Sequence, residues 1–198
     1  MKNNSKFKFV LNEVEFLLPS KFLRTHSYGH NRVKLPNPII EMVPVAAASV
    51  IKQYVKKKYP KVVVSSSSES FSMGNAVNVY LSDEFGNGVD EKVYKDVSSF
   101  AKMFQYGKFN GMIDMYENND SKFFSEKGTE IDMGVKFVSV NNRPMFGTVP
   151  DIVRMITDYT TTDNYYGGMV SLEKAIKNIK GYKIDDKKIN KALTLMNS

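Results

Sequence analysis

The apolar residues of this chain change their spacing along its length, from every second residue to every third or fourth and back. That alternation decides what it can fold into. Lys6-Phe7-Lys8-Phe9-Val10-Leu11 alternates, Asn12-Glu13 interrupts, and Val14-Glu15-Phe16-Leu17-Leu18 resumes. Period two on both sides of a two-residue break predicts a β-hairpin, closed by Pro19. From Ser20 to Pro38 the pattern is lost. Arg24-Thr25-His26-Ser27-Tyr28-Gly29-His30-Asn31-Arg32 reads as a polar loop or arm, and Pro36 and Pro38 argue against regular structure around them.

Helical spacing then takes over. Ala47, Val50, Ile51, Tyr54 and Val55 form one stripe, with Ser49, Lys52, Gln53, Lys56 and Lys57 on the opposite face. The helix is predicted to end at Lys58 or Tyr59, before Pro60, and Lys56-Lys57-Lys58 suit the negative end of its dipole. Val62-Val63-Val64 reads as a short buried strand, with Ser65–Ser68 a bulge or loop inside the sheet. A second strand ends at Leu81, carrying Val77, Val79 and Leu81 on one face and Asn78 and Tyr80 on the other. Gly86-Asn87-Gly88 is a loop. Val89, Val93, Val97, Phe100, Ala101 and Phe104 mark a second amphipathic helix. The break at Tyr106–Met112 leads to a short helical turn over Met112–Tyr116, and a strand follows at Val135–Val140. Helices are expected at Asp151–Tyr159, at Leu172–Lys180 (stopped by Gly181) and at Asp186–Met196, the last with a stripe of Ile189, Ala192, Leu193 and Met196.

This order predicts an α+β fold: a small, mainly antiparallel sheet packed by amphipathic helices, with an N-terminal hairpin and a C-terminal helical extension. Its parts are a hairpin and basic arm (1–40), an α+β core (41–145) and the helical extension (146–198), together one compact unit. At 198 residues, 42% hydrophobic and 25% charged, the chain is that of an ordinary globular domain. With no cysteine, disulfide scaffolds, thiol nucleophiles, iron–sulfur clusters and cysteine zinc sites are excluded. The start, Met1-Lys2-Asn3-Asn4-Ser5-Lys6, has no apolar stretch behind it, and Val43–Ile51 is too short to span a bilayer. The expected setting is therefore an intracellular one with no membrane contact.

The motifs of known chemistries are missing. Gly86-Asn87-Gly88 lacks the third glycine of a dinucleotide fingerprint, and neither Gly-Lys-Ser/Thr nor Gly-x-Ser-x-Gly occurs. His26 and His30 flank Gly29 in a loop, where no thiol can complete a zinc site. Asp114, Glu117 and Asp120 would converge on Mg²⁺ only if helical; the ordinary reading is an acidic solvated turn. Pro150-Asp151 is followed by an acid-rich Lys segment only at Asp185-Asp186-Lys187-Lys188, at the start of a helix, where it cannot form a restriction-type nuclease motif. No catalytic residue, metal site or cofactor is expected.

Charge is unevenly placed. Residues 1–64 carry 12 basic and 3 acidic side chains, residues 65–134 carry 6 and 12, and residues 135–198 carry 10 and 6, within a net charge of +7. The basic side of such a chain could meet polyanions. Arg32, Lys34, Lys52, Lys56, Lys57, Lys58 and Lys61 are the candidates for phosphate contact, on and around the first helix. The competing reading is a solvated helix face. Aromatics in polar settings, Tyr106, Phe109, Tyr116, Tyr159, Tyr165 and Tyr166, are candidate partner contacts, or else pack their loops down.

The stretch Ala46-Ala47-Ala48-Ser49-Val50-Ile51-Lys52, Tyr54-Val55-Lys56 and Tyr59-Pro60-Lys61-Val62 resembles a known family. So do Gly74-Asn75-Ala76-Val77-Asn78-Val79 and Tyr106-Gly107-Lys108-Phe109-Asn110-Gly111-Met112-Ile113-Asp114-Met115-Tyr116. The family is the twenty-ninth of the large polyvalent protein-associated domains of phages and mobile elements. The resemblance covers about residues 44–118 and extends towards 140. It implies a small bacteriophage accessory protein without enzymatic activity. Such a protein would bind a host or phage macromolecule in the host cytoplasm, for takeover or defence evasion. The alternative is a sequence-tolerant nucleic-acid binder using the lysines of the first helix, and a metal-dependent nuclease ranks below both. The resemblance carries over no catalytic residue.

Overall fold

The computed structural model describes residues 6–11, 14–20, 23–28, 34–72, 74–110, 115–118, 123–124, 130–161 and 169–197. Eleven strands and five helices lie among them, an α+β fold built of small sheets. The chain divides into two compact units. One comprises Met1–Lys58, Ser66–Val79 and Lys95–Val140, the other Tyr59–Ser65, Tyr80–Tyr94 and Asn141–Ser198.

In the first unit, β1 (Lys6–Leu11) and β2 (Val14–Pro19) form the expected hairpin, antiparallel from Leu11↔Val14 to Lys6↔Pro19. The alternation of β2 buries Phe16 and Leu18 completely and leaves Glu15 and Leu17 outside. Helix α1 (Pro44–Lys58) starts on a proline, which suits a first helical turn whose N–H groups have no partner within the helix. Ala46, Ala47, Val50, Ile51 and Val55 are fully buried. Helix α2 (Glu91–Lys102) contributes Val97, Phe100 and Ala101. An aromatic spine runs through this core: Tyr54 stacks on Phe100 at 3.8 Å between ring centroids, and Phe100 also meets Phe16 and Phe104.

The expected loop at 20–38 is corrected by the structure. Leu23–Tyr28 is a strand, β3, antiparallel to β4 (Lys34–Met42). The prolines had argued against it because a proline cannot donate to a ladder. Here Pro36 and Pro38 fall where β4 has no second partner among the described residues, in which the parallel pairing to β10 (Glu130–Met133) begins at Ile40↔Ile131. The register also shifts between His26 and Tyr28. Strand β9 (Phe123–Phe124) completes this sheet, in the order β3-β4-β10-β9.

Three further expectations are corrected. Ser65–Ser68 lies in one continuous strand, β5 (Val63–Phe71), rather than in a bulge or loop. β5 stands at the edge of the sheet β11-β6-β5, so its polar side chains need not be buried. Met115 and Tyr116 lie in a strand, β8 (Met115–Asn118), rather than in a helical turn. β8 is antiparallel to β7 (Gly107–Asn110), with Phe109 opposite Tyr116. The strand expected from Val135 starts at Phe137 (β11, Phe137–Asn141), because Tyr106 donates its N–H to the Val135 carbonyl at 2.9 Å and the Lys136 N–H is taken by Asn75 Oδ1 at 2.8 Å. The central strand β6 (Gly74–Ser82) buries Val77, Val79 and Leu81 as expected.

In the second unit, α3 (Val149–Thr161), α4 (Leu172–Gly181) and α5 (Asp186–Met196) pack round Ile152, Val153, Ile156, Ile179, Ile189 and Ala192. Ser171 caps α4 by accepting the Lys174 N–H, and Asp185 caps α5 by accepting that of Lys187. Gly86 closes the turn after β6 at φ +88°, where a Cβ would collide with the Pro150 carbonyl.

Candidate functional site

Helix α1 gives its outward side chains three different surroundings. Gln53 and Lys57, one turn apart, face β2. The Leu17 N–H donates to Gln53 Oε1 at 3.2 Å, and Gln53 Nε2 donates to the Leu17 carbonyl at 3.0 Å. Lys57 Nζ donates to the Glu15 carbonyl and lies 5.7 Å from the centroid of the Phe16 ring. These two side chains satisfy backbone groups of the hairpin that, among the described residues, no third strand pairs.

Lys58 turns to α2. It donates to Asp96 Oδ1 at 2.9 Å and to the Tyr54 hydroxyl at 2.8 Å, and Tyr54 donates to Asp96 Oδ2 at 2.8 Å. Burial, chiefly, raises the Tyr54 phenol above its ordinary value near 10. Hydrogen bonds to Tyr54 and then Asp96 raise the Lys58 ammonium. A lysine held this way stays protonated and is committed to the protein's own carboxylate.

Lys52 and Lys56 are arranged differently. Together with Ser49 and Gln53 they form the α1 wall of a groove of about 330 Å³, and Ser66 and Ser68 of β5 form the other wall. Val45 and Ala48 supply its apolar lining. No acidic residue lines it, and neither lysine makes an ion pair or hydrogen bond among the described residues. The arrangement sets two ammonium groups and three serine hydroxyls round a shallow apolar floor, a combination that can take an anionic group together with a short apolar contact.

The remaining candidates do not join this groove. Lys61 is exposed beyond the end of α1. Lys34 lies in β4 opposite Tyr28, and Arg32 falls outside the described residues. Tyr106 is half-buried, Phe109 and Tyr116 are opposite one another in the β7–β8 hairpin, and Tyr159 packs against the core of α3, α4 and α5. Tyr165 and Tyr166 lie outside the described residues, as do His30, Asp114 and Asp120. Glu117 is in β8, opposite Lys108, so helical spacing does not relate it to the other two carboxylates. Among the described residues no group of three His, Asp or Glu could hold a metal ion. None of their helices is long and apolar enough to cross a membrane.

Sequence reasoning missed Val45, Ala48, Ser49, Gln53, Ser66 and Ser68 as groove residues. Inside a run of four serines, period two leaves no trace, so nothing separated Ser66 and Ser68 from their neighbours.

No curated protein and no solved structure gives a significant match to this sequence. The profile of the large polyvalent protein associated domain 29 matches residues 44–145, a span that starts at the first residue of α1 and includes both walls of the groove. More than half of the chain lies within that match, and the family is one of phages and mobile elements. Helix α1, strand β5 and much of the core lie within the matched span, and the chain belongs to the large polyvalent protein associated domain 29 family.

Proposed function

We propose that this protein is a non-catalytic accessory protein of a phage or mobile element that binds an anionic macromolecule of its host or of the element itself, through the groove between α1 and β5. One observation carries the reading. Of the α1 lysines, Lys52 and Lys56 alone line a groove without an acid in its walls, whereas Lys57 and Lys58 are engaged by the hairpin and by Asp96. Ammonium groups without an internal partner are the ones able to exchange counterions for a ligand's charges. The family context supports a role in the invaded cell.

The test is the charge reversal Lys52→Glu/Lys56→Glu, read by fluorescence anisotropy with labelled polyglutamate and with a labelled 20-nucleotide oligothymidylate. The reversal is expected to weaken whichever probe binds by tenfold or more, and Lys177→Glu, on the exposed face of α4, to leave it unchanged. Affinity that survives the double reversal overturns the reading.

A further inference from the structure

The groove has a property that its lysines alone do not explain. One wall is the edge strand of a sheet. β5 stands last in the order β11-β6-β5, and over Ser66–Phe71, in the same unit as α1, it carries neither proline nor lysine. Those are the residues that commonly blunt an exposed strand edge. The only charge there is Glu69, on the opposite face from Ser66 and Ser68, where its carboxylate accepts from Asn78 Nδ2 at 3.4 Å.

We propose that the groove is a strand-addition site: an extended peptide with acidic side chains at alternate positions adds to the edge of β5 and points its carboxylates at Lys52 and Lys56. The proposal rests on the anionic-ligand reading given above and names the ligand's class. The spacing fits. Residues four apart on a helix are separated by about 6 Å along its axis, and alternate residues of an added strand by about 6.7 Å. Two successive carboxylates on that face therefore match the two ammonium groups, one to each. Main-chain hydrogen bonds along the edge would supply affinity, with the apolar lining at Val45 and Ala48 giving further contact.

The same wall disfavours nucleic acid. None of the lining residues is aromatic, so a single strand finds no platform on which to stack its bases. A duplex is wider than a groove between one helix and one strand, and is usually met by an element that protrudes into it.

The experiment uses the full chain and a fluorescein-labelled ten-residue peptide alternating Glu and Val. It is compared with the same peptide methylated on every backbone nitrogen and with oligothymidylate. Strand addition predicts that the methylated peptide binds at least tenfold more weakly. It also predicts that bound unmethylated peptide slows hydrogen exchange at alternate amides of Ser66–Phe71 in the wild-type protein. Equal binding of the methylated peptide, or unchanged exchange in β5, overturns strand addition. If Lys52→Glu/Lys56→Glu still weakens the peptide in that case, the groove reading stands without it. Lysine-dependent binding of oligothymidylate without binding of the peptide overturns the peptide proposal in favour of nucleic acid. Binding of neither probe overturns both readings.

Discussion

Gln53 shows what one side chain can decide. Its amide reproduces the two hydrogen bonds of a neighbouring strand against Leu17, so the hairpin is held by a helix rather than by more sheet. Gln53→Ala removes both bonds at a position that water can reach, at a cost of about 0.5–1.5 kcal/mol for each. Urea unfolding measures the loss, and faster hydrogen exchange at the Leu17 amide locates it. Asp151 is the buried counterpart, 2% exposed at the start of α3. It accepts from the Gly147 N–H at 2.9 Å and from Arg154 at 3.0 Å. Asp151→Ala orphans the Gly147 N–H and leaves Arg154 with Asp158 as its acidic partner, and a loss of about 1–3 kcal/mol is expected in the same assay.

The Tyr54–Lys58–Asp96 cluster makes a prediction about pH at the same scale. Folding raises both titrating groups, Tyr54 chiefly by burial and Lys58 chiefly through its hydrogen bond to Tyr54. Above the unfolded values, near 10 for both, the unfolded chain releases protons that the folded one retains. The cluster's stabilisation is therefore complete below pH 10 and is lost as pH rises beyond it. Unfolding free energies at pH 9 and 11 should show the decline, and Asp96→Asn should lessen it while lowering stability at pH 7.

Among elements, the hairpin and the helices were legible because their signals are local. A two-residue break between alternating runs fixes its own register, and the stripes of α1 and α2 are periodic within a dozen residues. The C-terminal helices add caps that can be read directly, Ser171 and Asp185. Their shared core is correspondingly ordinary, and Ile156→Ala, at a site with no exposure, should cost about 2–5 kcal/mol by thermal or chemical unfolding. β3, β4 and β5 were not legible. The prolines of β4 are tolerated because, among the described residues, its second partner joins at Ile40, and the serines of β5 because it is an edge; neither fact is local. Likewise, period alone places Lys52, Gln53, Lys56 and Lys57 on one helix face. Only the neighbours, β2 beside Gln53 and Lys57 and β5 beside Lys52 and Lys56, separate the lysines that hold the fold from those that line a groove.

For the molecule as a whole, the excess of basic over acidic residues in 1–64 supplies a long-range attraction for anions that salt screens within about 10 Å at 0.1 M. Affinity for the acidic peptide should fall several-fold between 50 and 200 mM NaCl, and much less for the double reversal, as anisotropy titrations would show. The sequence by itself determined the α+β class, the N-terminal hairpin, the five helices, the basic first third of the chain and membership of the family, because these depend on neighbours within a few turns and on composition. Which lysines line a groove, that serines 10 to 16 residues further along the chain share it, and that this groove has an edge strand for a wall were decided by tertiary structure. Those properties depend on which side of a helix meets which strand, and packing between residues distant in sequence settles that.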